Sequence, residues 1–157
     1  MVKMSEINNP VAWTSPSFKL ANYDLVFLPG GHDKGMQSYI TNKALHKHLA
    51  EYMPSTKRGS RKATAAICHG VQVLAAADAA DGSGKSVIHD FETTSLVGTM
   101  ESAAYWATRA FLGSYYKTFG DGTDNVETIV RKRLDDPKKQ YKSSMSTSPY
   151  VLLFLTS

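Results

Sequence analysis

Two short apolar runs, each closed by a glycine turn and each followed by a helical stretch, constrain this chain more than any other feature. The first is Y-D-L-V-F-L-P-G-G at 23–31 and the second is A-T-A-A-I-C-H-G-V at 63–71. Four consecutive apolar residues bounded by Pro-Gly-Gly predict a strand buried on both faces. Beyond it, Tyr39, Ile40, Leu45, His48, Leu49 and Tyr52 recur mostly at helical steps. They predict an amphipathic helix over 37–52, ended by Pro54. The second run predicts a strand, A-T-A-A-I-C, and then a helix, G-V-Q-V-L-A-A-A-D-A-A. Asp81-Gly82-Ser83-Gly84 marks a turn, and Ser86-Val87-Ile88 a short strand. Helices are expected over 99–112, capped by Thr99 and stopped by Gly113, and over 124–134; the final V-L-L-F-L-T reads as a strand. Strands alternating with helices of this length predict an α/β fold, a mostly parallel sheet with helices on both faces. With no internal repeat or low-complexity linker, residues 1–157 read as a single domain.

Composition removes several function classes. No window reaches the roughly 18 apolar residues that would cross a bilayer, and the N-terminus lacks the apolar core of a signal peptide. The one cysteine excludes an intrachain disulfide, so Cys68 is a thiol suited to a reducing compartment, and the expected location is cytoplasmic. A net charge of +4 raises the question of an acidic partner. The densest basic run, Lys57, Arg58, Arg61 and Lys62, has no interleaved aromatics to stack on bases. It reads as a solvated loop, so neither a nucleic acid nor a membrane is an expected partner.

Two motifs are set aside on physical grounds. D-G-S-G-K-S at 81–86 ends like a phosphate loop, but the required leading glycine is Ala79. It also leaves a helix and opens a strand, the reverse of the order that converges backbone amides on an anion. His46 and His48 lie two apart on a helix, pointing about 200° from each other. A Cys-His pair without a second cysteine is a poor zinc signal. No metal site is expected.

Cys68 reads differently. In an open parallel sheet, chemistry gathers beyond the carboxyl ends of the strands. A tight strand-to-helix turn there holds a side chain outside the sheet. The helix N-terminus predicts a lowered thiol pKa and a nucleophilic thiolate. His69 offers a neighbouring acid/base, and its backbone N–H an oxyanion donor. Gly31, in Leu28-Pro29-Gly30-Gly31-His32, sits at another strand's carboxyl end, where its N–H faces the same pocket. The competing reading is a small buried cysteine filling space.

The paired motifs D-L-V-F-L-P-G-G-H-D-K-G at 24–35 and A-T-A-A-I-C-H-G-V at 63–71 closely resemble the ThiJ/PfpI superfamily, of the class I glutamine amidotransferase-like fold. The histidines after Pro-Gly-Gly and after the cysteine point to its heat-shock, glutathione-independent glyoxalase branch. H-D-F-E-T-T-S and A-Y-W-A-T-R-A-F-L-G-S-Y-Y-K-T-F-G resemble fungal members. The similarity spans roughly residues 10–149. It implies a flavodoxin-like three-layer sandwich and a cofactor-free enzyme converting methylglyoxal, a small aldehyde, to lactate. Cys68 would be the nucleophile and His69 the acid/base. Gly31 and His69 would be the oxyanion donors, with Gly30 and His32 completing the substrate-binding loop. The thiolate would add to the aldehyde, and an enediol would pass hydrogen between the two carbons.

Members of the family carry an additional first strand and helix, with a glutamate that bonds the cysteine. Nothing upstream of Tyr23 matches them, and the C-terminal end departs from the pattern as well. The chain therefore reads as a form truncated at both ends, lacking the family's first strand. Glu92 and Glu101 are the candidates for an acid that orients His69. The rival readings are a cysteine hydrolase or deglycase on the same site, and a non-catalytic stress chaperone or redox sensor. A bare sheet edge and the tail Val151-Leu152-Leu153-Phe154-Leu155 predict association as a homodimer.

Overall fold

The computed structural model describes residues 5–143 and 152–153. A one-turn helix α1 (Ser5–Asn8) precedes strand β1 (Leu25–Leu28), helices α2 (Gly35–Ile40) and α3 (Lys43–Tyr52), and strand β2 (Ala63–Ala66). Helices α4 (Gly70–Ala76), α5 (Gly98–Leu112), α6 (Val126–Arg131) and α7 (Pro137–Gln140) follow, and β3 (Leu152–Leu153) comes last. The expected α/β class is the one observed. β1 and β2 pair in parallel, Leu25 opposite Ala63 through Leu28 opposite Ala66, and β3 joins the other edge of β2 antiparallel. Of the C-terminal strand expected from the sequence, only Leu152–Leu153 lie within the described residues.

Parallel pairing follows from the connection. The chain leaves β1 at Pro29, crosses through α2 and α3, and returns at Ala63, the long crossover that parallel neighbours require. Tyr52, closing α3, ties the crossover down. Its hydroxyl lies 3.1, 3.2 and 3.3 Å from the carbonyls of Tyr23, Asp24 and Ala63. One proton serves whichever of the three is best aligned, so both strand starts are held by one side chain.

The core sits on one face of the sheet. Val26, Leu28, Thr64 and Ala66 are buried there, against Leu45 and Leu49 of α3 and Val71, Val73 and Leu74 of α4. The expectation that β1 is buried on both faces is corrected. Leu25 and Phe27 are 59% and 58% exposed among the described residues. Side chains alternate along a strand, so four consecutive apolar residues supply two faces while the described helices cover only one.

Several boundaries differ from the sequence reading: helix 124–134 shortens to α6, the helix from Gly70 ends at Ala76 and the strand from Ala63 ends at Ala66. In three further places a hydrogen bond outweighed periodicity. The helix over 37–52 is broken after Ile40, where Asn42 Oδ1 accepts from the Leu45 N–H at 3.0 Å and starts α3 afresh. Ser86 forms a single antiparallel bridge with Asp78 in place of a strand, closing a loop that turns through Gly82 and Gly84, both at positive φ. Helix α5 is capped from outside rather than by Thr99. The Gly98 N–H donates to Glu127 Oε2 at 2.9 Å, and the Val126 N–H of α6 donates to Glu101 Oε2 at 2.8 Å. Each helix thus neutralises the other's positive terminus with a glutamate. Gly113 stops α5 as expected, at φ 56°.

Candidate functional site

The carboxyl ends of β1 and β2 are pressed together at two glycines. A Cβ on Gly70 would lie 2.3 Å from the Leu28 carbonyl oxygen, and one on Gly30 would lie 2.4 Å from the Ile67 oxygen and 2.7 Å from Cys68 Cβ. Ile67 N–H donates to Leu28 O at 3.1 Å and Gly70 N–H to Ile67 O at 2.8 Å. The loop after β1 therefore rests directly against the turn between β2 and α4.

At the apex of that turn stands Cys68, with φ 54°, the only non-glycine at positive φ among the described residues. A left-handed cysteine costs roughly 1–2 kcal/mol relative to ordinary backbone, and such residues cluster where chemistry needs a particular presentation. Its sulfur lies 3.3 Å from His69 Nδ1. The His69 ring is 1% exposed and stacks edge to face on His32, centroids 4.5 Å apart. His32 in turn meets Tyr116 at 4.7 Å, also edge to face, and its Nδ1 is buried without a partner. Among the described residues the Gly31 N–H donates to no acceptor, which leaves it available to a ligand. Cys68, His69, His32, Gly30 and Gly31 are thus brought to one place from two strand ends.

The acids behave differently. Glu92 is a surface residue paired with Lys142 at 3.1 Å, away from the turn. Glu101 is 3% exposed, but its hydrogen bond caps α6, and among the described residues no carboxylate bonds His69. What reaches Cys68 from Glu101 is its charge, the smallest of the causes that raise the thiol. Tyr115 and Tyr116 were not singled out by sequence reasoning. They lie in the segment following α5, which Gln37 of α2 anchors by donating to the Thr118 carbonyl. No spacing in the sequence signals that contact, because Gln37 and Thr118 stand 81 positions apart.

The electrostatics overturn one expectation. The Cys68 thiol is pushed up, not down: burial dominates, the His69 backbone N–H partly offsets it, and the Glu101 charge adds to the rise. Helix α4 has only seven residues, too little dipole to outweigh dehydration of a thiolate. His69 is lowered to about 4, first by burial and then by His32, so it is a neutral imidazole at pH 7. The resting site is an uncharged thiol beside an uncharged base. Alkylation by iodoacetamide, which consumes thiolate, is expected to accelerate with pH, with an apparent pKa above the ordinary value of about 8.5. A rate already at its plateau below pH 8 would contradict the burial argument.

A cleft of about 710 Å³ opens elsewhere, lined by Trp13, Phe18, His48 and Tyr52 among others, toward the amino ends of the strands. It is lined by none of the Cys68 group. No helix of the described residues is long and apolar enough to cross a membrane. No curated protein and no solved structure matches the chain. The sequence model of one family, described as ThiJ/PfpI family-like, matches residues 1–145, a span containing both strand ends, the strained cysteine and its two histidines. With that match over most of its length, the chain belongs to the ThiJ/PfpI-like family.

Proposed function

We propose that this chain is a cofactor-free, glutathione-independent glyoxalase of the glyoxalase III type, converting methylglyoxal to lactate through Cys68. The observation that carries the reading is a cysteine held at φ 54° on a strand-to-helix turn with its sulfur 3.3 Å from a neutral imidazole. Strain of that kind serves presentation, since a space-filling thiol needs none.

In this reading Cys68 Sγ bonds to the aldehyde carbon while its proton passes to His69 Nδ1. Separating the charges is unfavourable for the free enzyme, but a thiolate and an imidazolium 3.3 Å apart attract each other. The hemithioacetal oxygen is met by the free Gly31 N–H. A proton leaves the former aldehyde carbon and returns to the neighbouring carbon through an enediol, giving a lactoyl thioester. Water then hydrolyses the thioester, releasing lactate and restoring the thiol. His32, with its unpartnered Nδ1, is the group placed to bind the substrate oxygens.

The raised thiol pKa weighs against a redox sensor, whose cysteine is typically acidic and accessible. Hydrolase and deglycase chemistry would use the same thiol and differ in product. Incubating the purified chain with methylglyoxal in the absence of glutathione, and measuring lactate, separates them. One lactate formed per methylglyoxal consumed is expected; consumption without lactate would overturn the glyoxalase reading.

A cytoplasmic location, a small aldehyde as the substrate and no nucleic-acid partner complete the proposal. Association as a homodimer belongs to it too, supported by the bare β1 face that presents Leu25 and Phe27. Sedimentation at micromolar concentration should give twice the 17.2 kDa chain mass. A monomer there would remove this element.

A further inference from the structure

We propose that His32, Cys68 and His69 form a three-ligand site for a zinc ion. The expectation of no metal weighed the Cys-His pair alone; folding adds a second histidine from the end of the other strand. One ligand atom from each of the three residues lies within 4.8 Å of the other two.

Bond lengths of about 2.3 Å to sulfur and 2.0–2.1 Å to nitrogen put tetrahedral ligands roughly 3.3–3.6 Å apart. The Cys68 Sγ to His69 Nδ1 separation of 3.3 Å is within about 0.3 Å of the sulfur–nitrogen value. The longest separation in the group needs to close by about 1 Å to reach it. His32 is the ring able to move, because its Nδ1 is committed to no partner. Imidazole binds metal as the neutral ring, and the thiol releases its proton to solvent as the Zn–S bond forms. A thiolate with two imidazoles selects zinc over magnesium or calcium, which prefer oxygen donors. Three protein ligands leave the fourth position to water. The described residues show no carboxylate bonded to His69 to stiffen the ring, so the ion is held reversibly.

The site stands on geometry and donor chemistry, whatever reaction Cys68 performs. Its consequence for activity rests on the proposed function: an ion on the sulfur removes the lone pair that attacks the aldehyde, so zinc inhibits competitively.

The test uses the untagged full chain, stripped by a chelator and titrated with Co²⁺ as a spectroscopic stand-in for Zn²⁺. A thiolate-to-cobalt charge-transfer band saturating at one ion per chain, and lost on adding Zn²⁺, is expected. Cys68→Ser should abolish the band, and His32→Ala should weaken binding by about tenfold or more. His48→Ala, outside the cluster, should change neither, with folding followed by circular dichroism throughout. Absence of the band in the unsubstituted protein, or undiminished affinity in folded His32→Ala, overturns the proposal. Lactate assays on the metal-free chain are independent of this readout, so failure of the glyoxalase reading and failure of the metal site are told apart.

Discussion

Replacing Cys68 by alanine is expected to lower methylglyoxal consumption to background, a loss on the order of 10⁴-fold or more, as removal of a covalent nucleophile does. His69→Ala should cost less, about 10²–10⁴-fold, the usual worth of a positioned base. The two losses should not multiply in the double variant, because the base has nothing to activate once the thiol is gone. Stability gives the second half of this prediction. Cys68 holds φ 54°, and alanine inherits that strain in full. Glycine relieves roughly 1–2 kcal/mol of left-handed strain while losing about 0.5–1 kcal/mol of chain entropy. Cys68→Gly is therefore expected to be inactive yet more stable than Cys68→Ala, by about half to one kcal/mol in urea unfolding. Appreciable lactate formation by either variant, at unchanged circular dichroism, would remove Cys68 from the mechanism. A glycine variant less stable than the alanine one would remove strain from the argument.

How much of this was legible in the residues depends on the range of the interaction. The turn at Cys68 could be read because a strand, a cysteine and a glycine follow each other within a few positions, and local sequence sets that geometry. The meeting of the Pro-Gly-Gly loop with the cysteine turn was legible in outline, since each closes a strand of the same parallel pair. The protonation of the site was not. A helix terminus next to a thiol predicts a lowered pKa, but burial of Cys68 and the charge of Glu101 are tertiary facts, and they reverse the sign. Glu101 itself shows the limit well. As an acid in the first turn of α5 it was a reasonable orienting group, yet its oxygen caps α6, a partner set by how two helix ends meet. Tyr116 against His32 and the break at Asn42 were likewise invisible, the first for distance along the chain, the second because an asparagine inside a periodic pattern looks like any polar position.

Gly70→Ala is expected to destabilise the chain by about 3 kcal/mol or more, at the upper end of overpacking effects. Propensity alone argues the other way, since alanine in place of glycine in a helix gains up to about 1 kcal/mol. Geometry decides the contest. The new Cβ would lie 2.3 Å from the Leu28 oxygen and 2.7 Å from the Pro29 oxygen. Both are backbone atoms, and Leu28 O already accepts the Ile67 N–H. Nothing there is a flexible side-chain end, so relief requires moving the end of β1 away from the turn. With urea slopes of about 1–3 kcal/mol per molar, the midpoint should fall by at least about 1 M. Gly59→Ala is the control. That glycine has φ 88° with nothing within 4 Å of a Cβ, so it should cost only the roughly 1–2 kcal/mol of backbone strain. Gly30→Ala attacks the same contact from the opposite side, with its Cβ 2.4 Å from Ile67 O. Once either alanine has pried the two strand ends apart, the second has less to disrupt, so the double variant should fall short of additivity. The same displacement withdraws Gly31 from Cys68, so residual folded Gly70→Ala should also lose lactate formation. A Gly70→Ala chain no less stable than Gly59→Ala would show that the strand ends are not locked together as described, and the aim of the cysteine would then need another cause.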